Sequence, residues 1–146
     1  VLCQSLAEKI SENFNDFNLV LSPAVGGIVI GYEIGRLLNV ETIFAERVNK
    51  IFQLRRGFEI KKNHKILIVE DVITTGKSSL ECSVLAEKLG AEIVGFASLI
   101  DRSNGKSKIN KKIISQVQIE IPTFTEEDIP EKIKRIKATK PGSRDL

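Results

Sequence analysis

Ile66-Leu67-Ile68-Val69-Glu70-Asp71-Val72-Ile73-Thr74-Thr75-Gly76-Lys77-Ser78-Ser79 is the stretch whose reading decides the fold. Its first four residues are apolar on both faces, as expected of a central strand covered by helices on each side of a parallel sheet. Two acids end that apolar run, and small hydroxyl residues with a glycine lead into a helix. The helix is predicted to open with a Ser78-x-x-Glu81 capping box, to bury Leu80, Val84, Leu85 and Leu89, and to stop at Gly90.

Outward from this stretch the periodicity alternates. Leu2, Leu6, Ile10 and Phe14 form a helical stripe, and the short apolar run Leu19-Val20-Leu21 reads as a strand that breaks into the turn Ser22-Pro23-Ala24-Val25-Gly26-Gly27. Ile30, Ile34, Leu37 and Leu38 give a second helix, and Thr42-Ile43-Phe44-Ala45 a second strand. Residues 46–57 are less regular, contain Arg47, Lys50, Arg55 and Arg56, and read as a basic surface loop or short hairpin. Strands are expected at 93–100 and 116–121. The tail, 126–146, mixes Pro, Lys and Glu and is weakly specified. Strand and helix alternating at this spacing predict a doubly wound, mainly parallel α/β sheet in one domain over 1–146. Three polar segments, 22–27, 70–78 and 101–105, then fall at the carboxyl ends of strands, where such sheets bind ligands.

Composition bounds the function. The chain has 146 residues, 42% of them apolar and 28% charged, with a net charge of +3. That is an ordinary globular balance; the charge suits an anionic small ligand and is too slight to argue for nucleic acid. The basic stretch from Lys132 to Lys140 lacks interleaved aromatics and reads as a solvated surface helix. Apolar runs are too short to span a membrane. Cys3 and Cys82 are expected as reduced thiols in a cytoplasmic protein, with one disulfide as the alternative. Because the sequence enters a helix directly from Val1, an N-terminal segment is expected to be missing.

The chemistry concentrates at residues 70–78. Backbone N–H groups of a helix N-terminus can converge on a phosphate, helped by the hydroxyls of Thr74, Thr75 and Ser78, and Gly76 permits close approach. Glu70 and Asp71 would repel that phosphate at contact distance, but a few ångströms away they can accept hydrogen bonds from a sugar diol. A ligand with a phosphate at one end and a diol at the other is a ribose 5-phosphate. Gly76-Lys77-Ser78 ends like a P-loop, but Asp71 stands where that motif requires glycine. Capping alone accounts for Ser78 and Thr75 and leaves the acid pair unexplained.

The run from Val69 to Gly76 resembles the phosphoribosyl-pyrophosphate motif of type I phosphoribosyltransferases. The resemblance extends through Ser22-Pro23-Ala24, Phe44-Ala45-Glu46-Arg47, Leu54-Arg55-Arg56-Gly57-Phe58, Asp101-Arg102-Ser103 and Pro141-Gly142-Ser143-Arg144. Together these are similar to the orotate-using branch of the family, in the bacterial subgroup with a short catalytic loop. The resemblance implies the type I fold, a homodimer, and transfer of a phosphoribosyl group from phosphoribosyl pyrophosphate to orotate. It implies Glu70 and Asp71 on the ribose hydroxyls, with Asp71 also stabilising charge on the sugar. Val72 and Ile73 would line the phosphoribosyl-pyrophosphate site, Thr74, Thr75, Gly76, Lys77 and Ser78 would bind its 5-phosphate, and loop 22–27 with Arg47 its pyrophosphate. Thr74 and Arg102 would hold orotate, the guanidinium matching its carboxylate. Lys50 is the nominee for the catalytic loop cation, and His64 reads as an exposed turn residue. Magnesium would be bound mainly through the substrate, with no dedicated protein cage. Three other readings stay open: a purine or other base as acceptor, a regulator that senses phosphoribosyl pyrophosphate, and a flavodoxin-like signalling domain.

Overall fold

The computed structural model describes all residues except Thr123, Glu126 and 138–146. The tail's last part, with Pro141-Gly142-Ser143-Arg144, therefore lies outside the described residues.

The expected strand at 66–69 is the centre of the molecule. It belongs to β4 (Lys65–Ile73), and Ile66, Leu67, Ile68 and Val69 are wholly buried. On one side it pairs in parallel with β1 (Leu19–Pro23), on the other with β5 (Glu92–Asp101). Parallel β2 (Glu41–Val48) follows β1 outward, and β3 (Ile51–Leu54) closes that edge antiparallel to β2. β6 (Ile113–Gln118) pairs in parallel with β5 at the other edge. The order β3-β2-β1-β4-β5-β6 confirms the doubly wound, mainly parallel sheet. After β1 the chain moves one way to β2, then returns to lay β4 on β1's other flank. The crevice beyond the carboxyl ends of β1 and β4 is thus the switch point where ligands bind in such sheets.

Helices cover both faces. α1 (Leu2–Asn13) and α2 (Gly27–Leu38) bury Leu6, Ile10 and Ile34 against Val20, Leu67 and Val69. α3 (Lys77–Lys88) covers Leu21, Ile66 and Ile68 from the other face. Fully burying each such aliphatic side chain stabilises the fold by about 1.5–3 kcal/mol. α2 lies close to the sheet, because a side chain at Gly31 would meet Ser22 Oγ at 2.0 Å and one at Gly35 would meet Thr42 Oγ1 at 1.8 Å.

Several expectations need correction. β4 continues past the acids to Ile73, because Val72 and Ile73 pair with Ile100 and Asp101 of β5. The last strand is Ile113–Gln118 and not 116–121; its parallel register starts at Phe96 opposite Ile113. α3 has Gly76 as its N-cap, without a side-chain cap, so the Ser78–Glu81 capping box does not form. Its buried face is Ser79, Cys82, Ser83 and Ala86; Leu80 and Leu85 pack at the margin, while Val84 and Leu89 are exposed. Small residues let this helix approach the sheet, so its larger apolar side chains turn outward. Residues 46–57 hold the hairpin β2–β3, turned at Asn49 and Lys50, both with positive φ. α4 (Glu131–Lys134) is one short turn in the tail. Cys82 is buried and Cys3 half-buried, and both are free thiols. Among the described residues no helix is long and apolar enough to cross a membrane.

Candidate active site

Glu70 and Asp71 are neighbours on a strand, so their side chains leave opposite faces. Glu70 goes toward α3 and accepts a hydrogen bond from the hydroxyl of Ser79, which is fully buried. Asp71 goes toward the turn after β1 and lies against Gly26, where a β-carbon would stand 2.3 Å from Asp71 Oδ2. The motif's two acids therefore face two different elements. Both still line one cavity of about 590 Å³, together with Val25, Gly26, Arg47 and Ser78. The peptide bond between Ala24 and Val25 in the same wall is cis.

A second cavity of about 430 Å³ is formed by Thr74, Thr75, Gly76, Lys77 and Ser78 with Glu70, Val72, Arg47, Lys50 and Glu81. Gly76 has φ +76°, the left-handed region that favours glycine, and a side chain there would meet Ile109 Cγ1 at 2.8 Å. Thr75 steadies the turn twice: its Oγ1 accepts from the N–H of Lys77 at 3.3 Å, and its carbonyl accepts from the N–H of Lys108 at 3.3 Å. The first N–H groups of α3 have no intrahelical acceptor, so this end of the helix suits an anion. Ile73 does not join the wall. Its side chain is core, and its carbonyl accepts from the Arg102 N–H at 2.7 Å.

The candidate cations stand in distinct settings. Arg47 pairs with Glu81, donates through Nη1 to the Lys50 carbonyl at 2.9 Å, and lies 4.1 Å over the Phe52 ring. Lys50 is exposed at the hairpin tip. Arg102 is exposed at the end of β5, brought beside Thr74 by its backbone bond to Ile73, and lines neither cavity. The adjacent Asp101 is buried and accepts from the Ser103 N–H at 2.7 Å. Arg56 is hydrogen-bonded to Glu46, and that bond, with the charges of Arg56 and Arg55, holds the Glu46 carboxyl below its ordinary range. His64 lies at the opposite end of β4, its Nδ1 accepting from the Lys61 N–H at 3.2 Å, which agrees with a turn role.

Sequence reasoning missed Ser79, Glu81 and Ile109 as parts of this site. Glu81 was visible only as half of a capping box, and Ile109 had no local signal because it arrives from the loop after β5. Among the described residues, no group of three or more His, Cys, Asp or Glu side chains is placed to hold a metal ion.

Comparison with known proteins bears on this geometry. The family model described as the phosphoribosyl transferase domain matches residues 1–132. The chain is 44% identical to the orotate phosphoribosyltransferase of Parvibaculum lavamentivorans over 146 residues, covering 99% of this chain and 75% of that protein. It is 40% identical to the orotate phosphoribosyltransferase of Carboxydothermus hydrogenoformans, covering 99% and 75%. Among solved structures, the adenine phosphoribosyltransferase of Thermoanaerobacter pseudethanolicus superposes with a TM-score of 0.70 at 19% identity, covering 81% of this chain and 78% of that one. The Mycobacterium tuberculosis orotate phosphoribosyltransferase in complex with 5-phospho-α-D-ribosyl 1-diphosphate gives 0.66 at 20% identity, covering 80% and 71%. These two show the same fold. With a hydroxyl-lined helix N-terminus and two acids at the sheet's switch point, and a family match along nine-tenths of its length, the chain belongs to the phosphoribosyl transferase family.

Proposed function

We propose that this chain transfers the phosphoribosyl group of phosphoribosyl pyrophosphate to orotate, releasing pyrophosphate and forming orotidine 5′-phosphate. The observation that carries this reading is the juxtaposition at the switch point: Asp71 against the Gly26 backbone, beside a hydroxyl-lined helix N-terminus. The names of the relatives at 40–44% identity support orotate as the acceptor.

In this reading the turn Thr74, Thr75, Gly76, Lys77 and Ser78 binds the 5-phosphate, and Val72 closes the wall beside it. Glu70, oriented by Ser79, and Asp71 accept from the ribose hydroxyls. As the bond to pyrophosphate loosens, positive charge develops on the sugar. Asp71, already fixed against Gly26, stabilises that charge without reorganising. The backbone of loop 22–27 and Arg47 face the leaving pyrophosphate, with the hairpin cation Lys50 on the wall of the neighbouring phosphate cavity. Thr74 and Arg102 orient orotate, so that a ring nitrogen meets the anomeric carbon. The donor set fits a magnesium ion that arrives on the substrate, because Glu70 and Asp71 face separate walls and leave its shell to phosphate oxygens and water. Bound there, magnesium would offset the charge of the pyrophosphate as it leaves. The free thiols Cys3 and Cys82 support a reducing, cytoplasmic setting. The exposed apolar side chains Val29 and Tyr32 on α2, with Val25 in the turn before it, support a homodimer.

The test is loss of orotate absorbance with magnesium and phosphoribosyl pyrophosphate, beside parallel assays with adenine and hypoxanthine. Turnover of orotate is expected, and Arg102→Ala should lower kcat/KM for orotate about 100-fold while leaving phosphoribosyl pyrophosphate binding intact. Turnover of a purine without orotate would reject the acceptor assignment.

A further inference from the structure

Glu81 stands in the first turns of α3 and in the wall of the 430 Å³ cavity. A bare carboxylate there would repel the phosphate assigned to the same cavity. Its two oxygens are engaged by cations. Oε2 pairs with the Arg47 guanidinium, and Oε1 lies 4.0 Å from Lys77 Nζ. Arg47 lines both cavities, so it sits on the wall between the two ends of the proposed substrate. Phe52 and the Lys50 carbonyl hold it to the hairpin; Glu81 ties it to the helix whose N-terminus forms the phosphate cradle.

We propose that Glu81 is a positioning residue for the transfer reaction, holding Arg47 at the mouth of the cradle so that it meets the phosphorylated substrate already ordered. The proposal rests on assigning that cavity to phosphoribosyl pyrophosphate. Its physical basis is entropic. An arginine loses rotamer freedom when a ligand fixes it, and a carboxylate that fixes it beforehand lowers that cost of binding. Removing the carboxylate while Phe52 remains leaves Arg47 on the hairpin but no longer aimed from the helix side.

The test is steady-state kinetics of Glu81→Ala and Glu81→Gln in the full chain, with both substrates varied. Glu81→Ala should raise KM for phosphoribosyl pyrophosphate about tenfold, with kcat and the KM for orotate held within about twofold. Glu81→Gln keeps an acceptor for the guanidinium and should restore the wild-type KM. In an Arg47→Ala background, Glu81→Ala should add little, because the two act through each other. An unchanged KM for phosphoribosyl pyrophosphate in Glu81→Ala would overturn the proposal. So would a Gln variant as impaired as Ala, with both KM values and the melting temperature moving together. If Arg47→Ala itself leaves that KM unchanged, the cavity assignment fails and the proposal falls with it. A strong Arg47→Ala effect beside a silent Glu81→Ala rejects the role of Glu81 alone.

Discussion

The turn after β1 and the turn after β4 face each other across the switch point, and each needs its glycine for a different reason. Gly26 opens α2 with φ −57°, an ordinary helical value that any residue adopts. A side chain there would meet the Asp71 carboxylate, and one of the two would have to move. Gly76 opens α3 with φ +76° and also has Ile109 against it. One glycine therefore serves its neighbour's carboxylate, and the other serves its own backbone. The first turn is bare main chain; the second adds the hydroxyls of Thr74, Thr75 and Ser78. Two turns of the same topology thus differ in what they offer, one packing bare main chain against an acid and the other adding hydroxyls at a helix start with a left-handed N-cap.

The largest effect that would sharpen this contrast is expected at the first turn. Gly26→Ala must displace either the loop or the Asp71 carboxylate, and should lower kcat about 100-fold with little change in melting temperature. Asp71→Asn should cost about 100- to 1,000-fold in kcat. If Gly26→Ala is silent while Asp71→Asn is severe, the glycine does not serve the acid. Gly76→Ala should act differently. Left-handed backbone and the contact with Ile109 should reduce stability by about 1–2 kcal/mol in denaturant unfolding, and KM for phosphoribosyl pyrophosphate should rise more than kcat falls. Thr75→Ala removes the acceptor for the Lys77 N–H and should cost about 1 kcal/mol or less, with Thr75→Ser close to wild type. The smallest effect is chemical. Burial, with the nearby Glu70 charge, pushes the Cys82 thiol far above its ordinary value, so a thiol reagent at mildly alkaline pH should modify half-buried Cys3 first and Cys82 only on unfolding. Early modification of Cys82 in native protein would mean that α3 opens more readily than its packing implies.

Much of this molecule is legible in its sequence, for reasons that also explain the misreadings. β4 is marked by four apolar residues because a strand covered on both faces has no alternative pattern. Its acids and hydroxyls are marked because they interrupt that pattern. α3 was misphased because its packing uses Ser79, Cys82, Ser83 and Ala86, whose small size a count of large apolar residues ignores. β6 was placed too late because the alternation in Gln116-Val117-Gln118-Ile119 looks strand-like, whereas the parallel register with β5 sets the start at Ile113. The ties that finish the site, Ile109 on Gly76 and Glu81 on Arg47, join distant segments and leave no periodic trace.

The central claim is that the turn after β4 cradles a sugar phosphate while Asp71 faces the sugar. A crystal structure of the protein with phosphoribosyl pyrophosphate and magnesium tests it most directly. The monoester phosphate is expected within hydrogen-bonding distance of the Thr75, Gly76 and Ser78 amides, with the diphosphate end toward loop 22–27. A monoester seated on loop 22–27, or a sugar remote from Asp71, would contradict it.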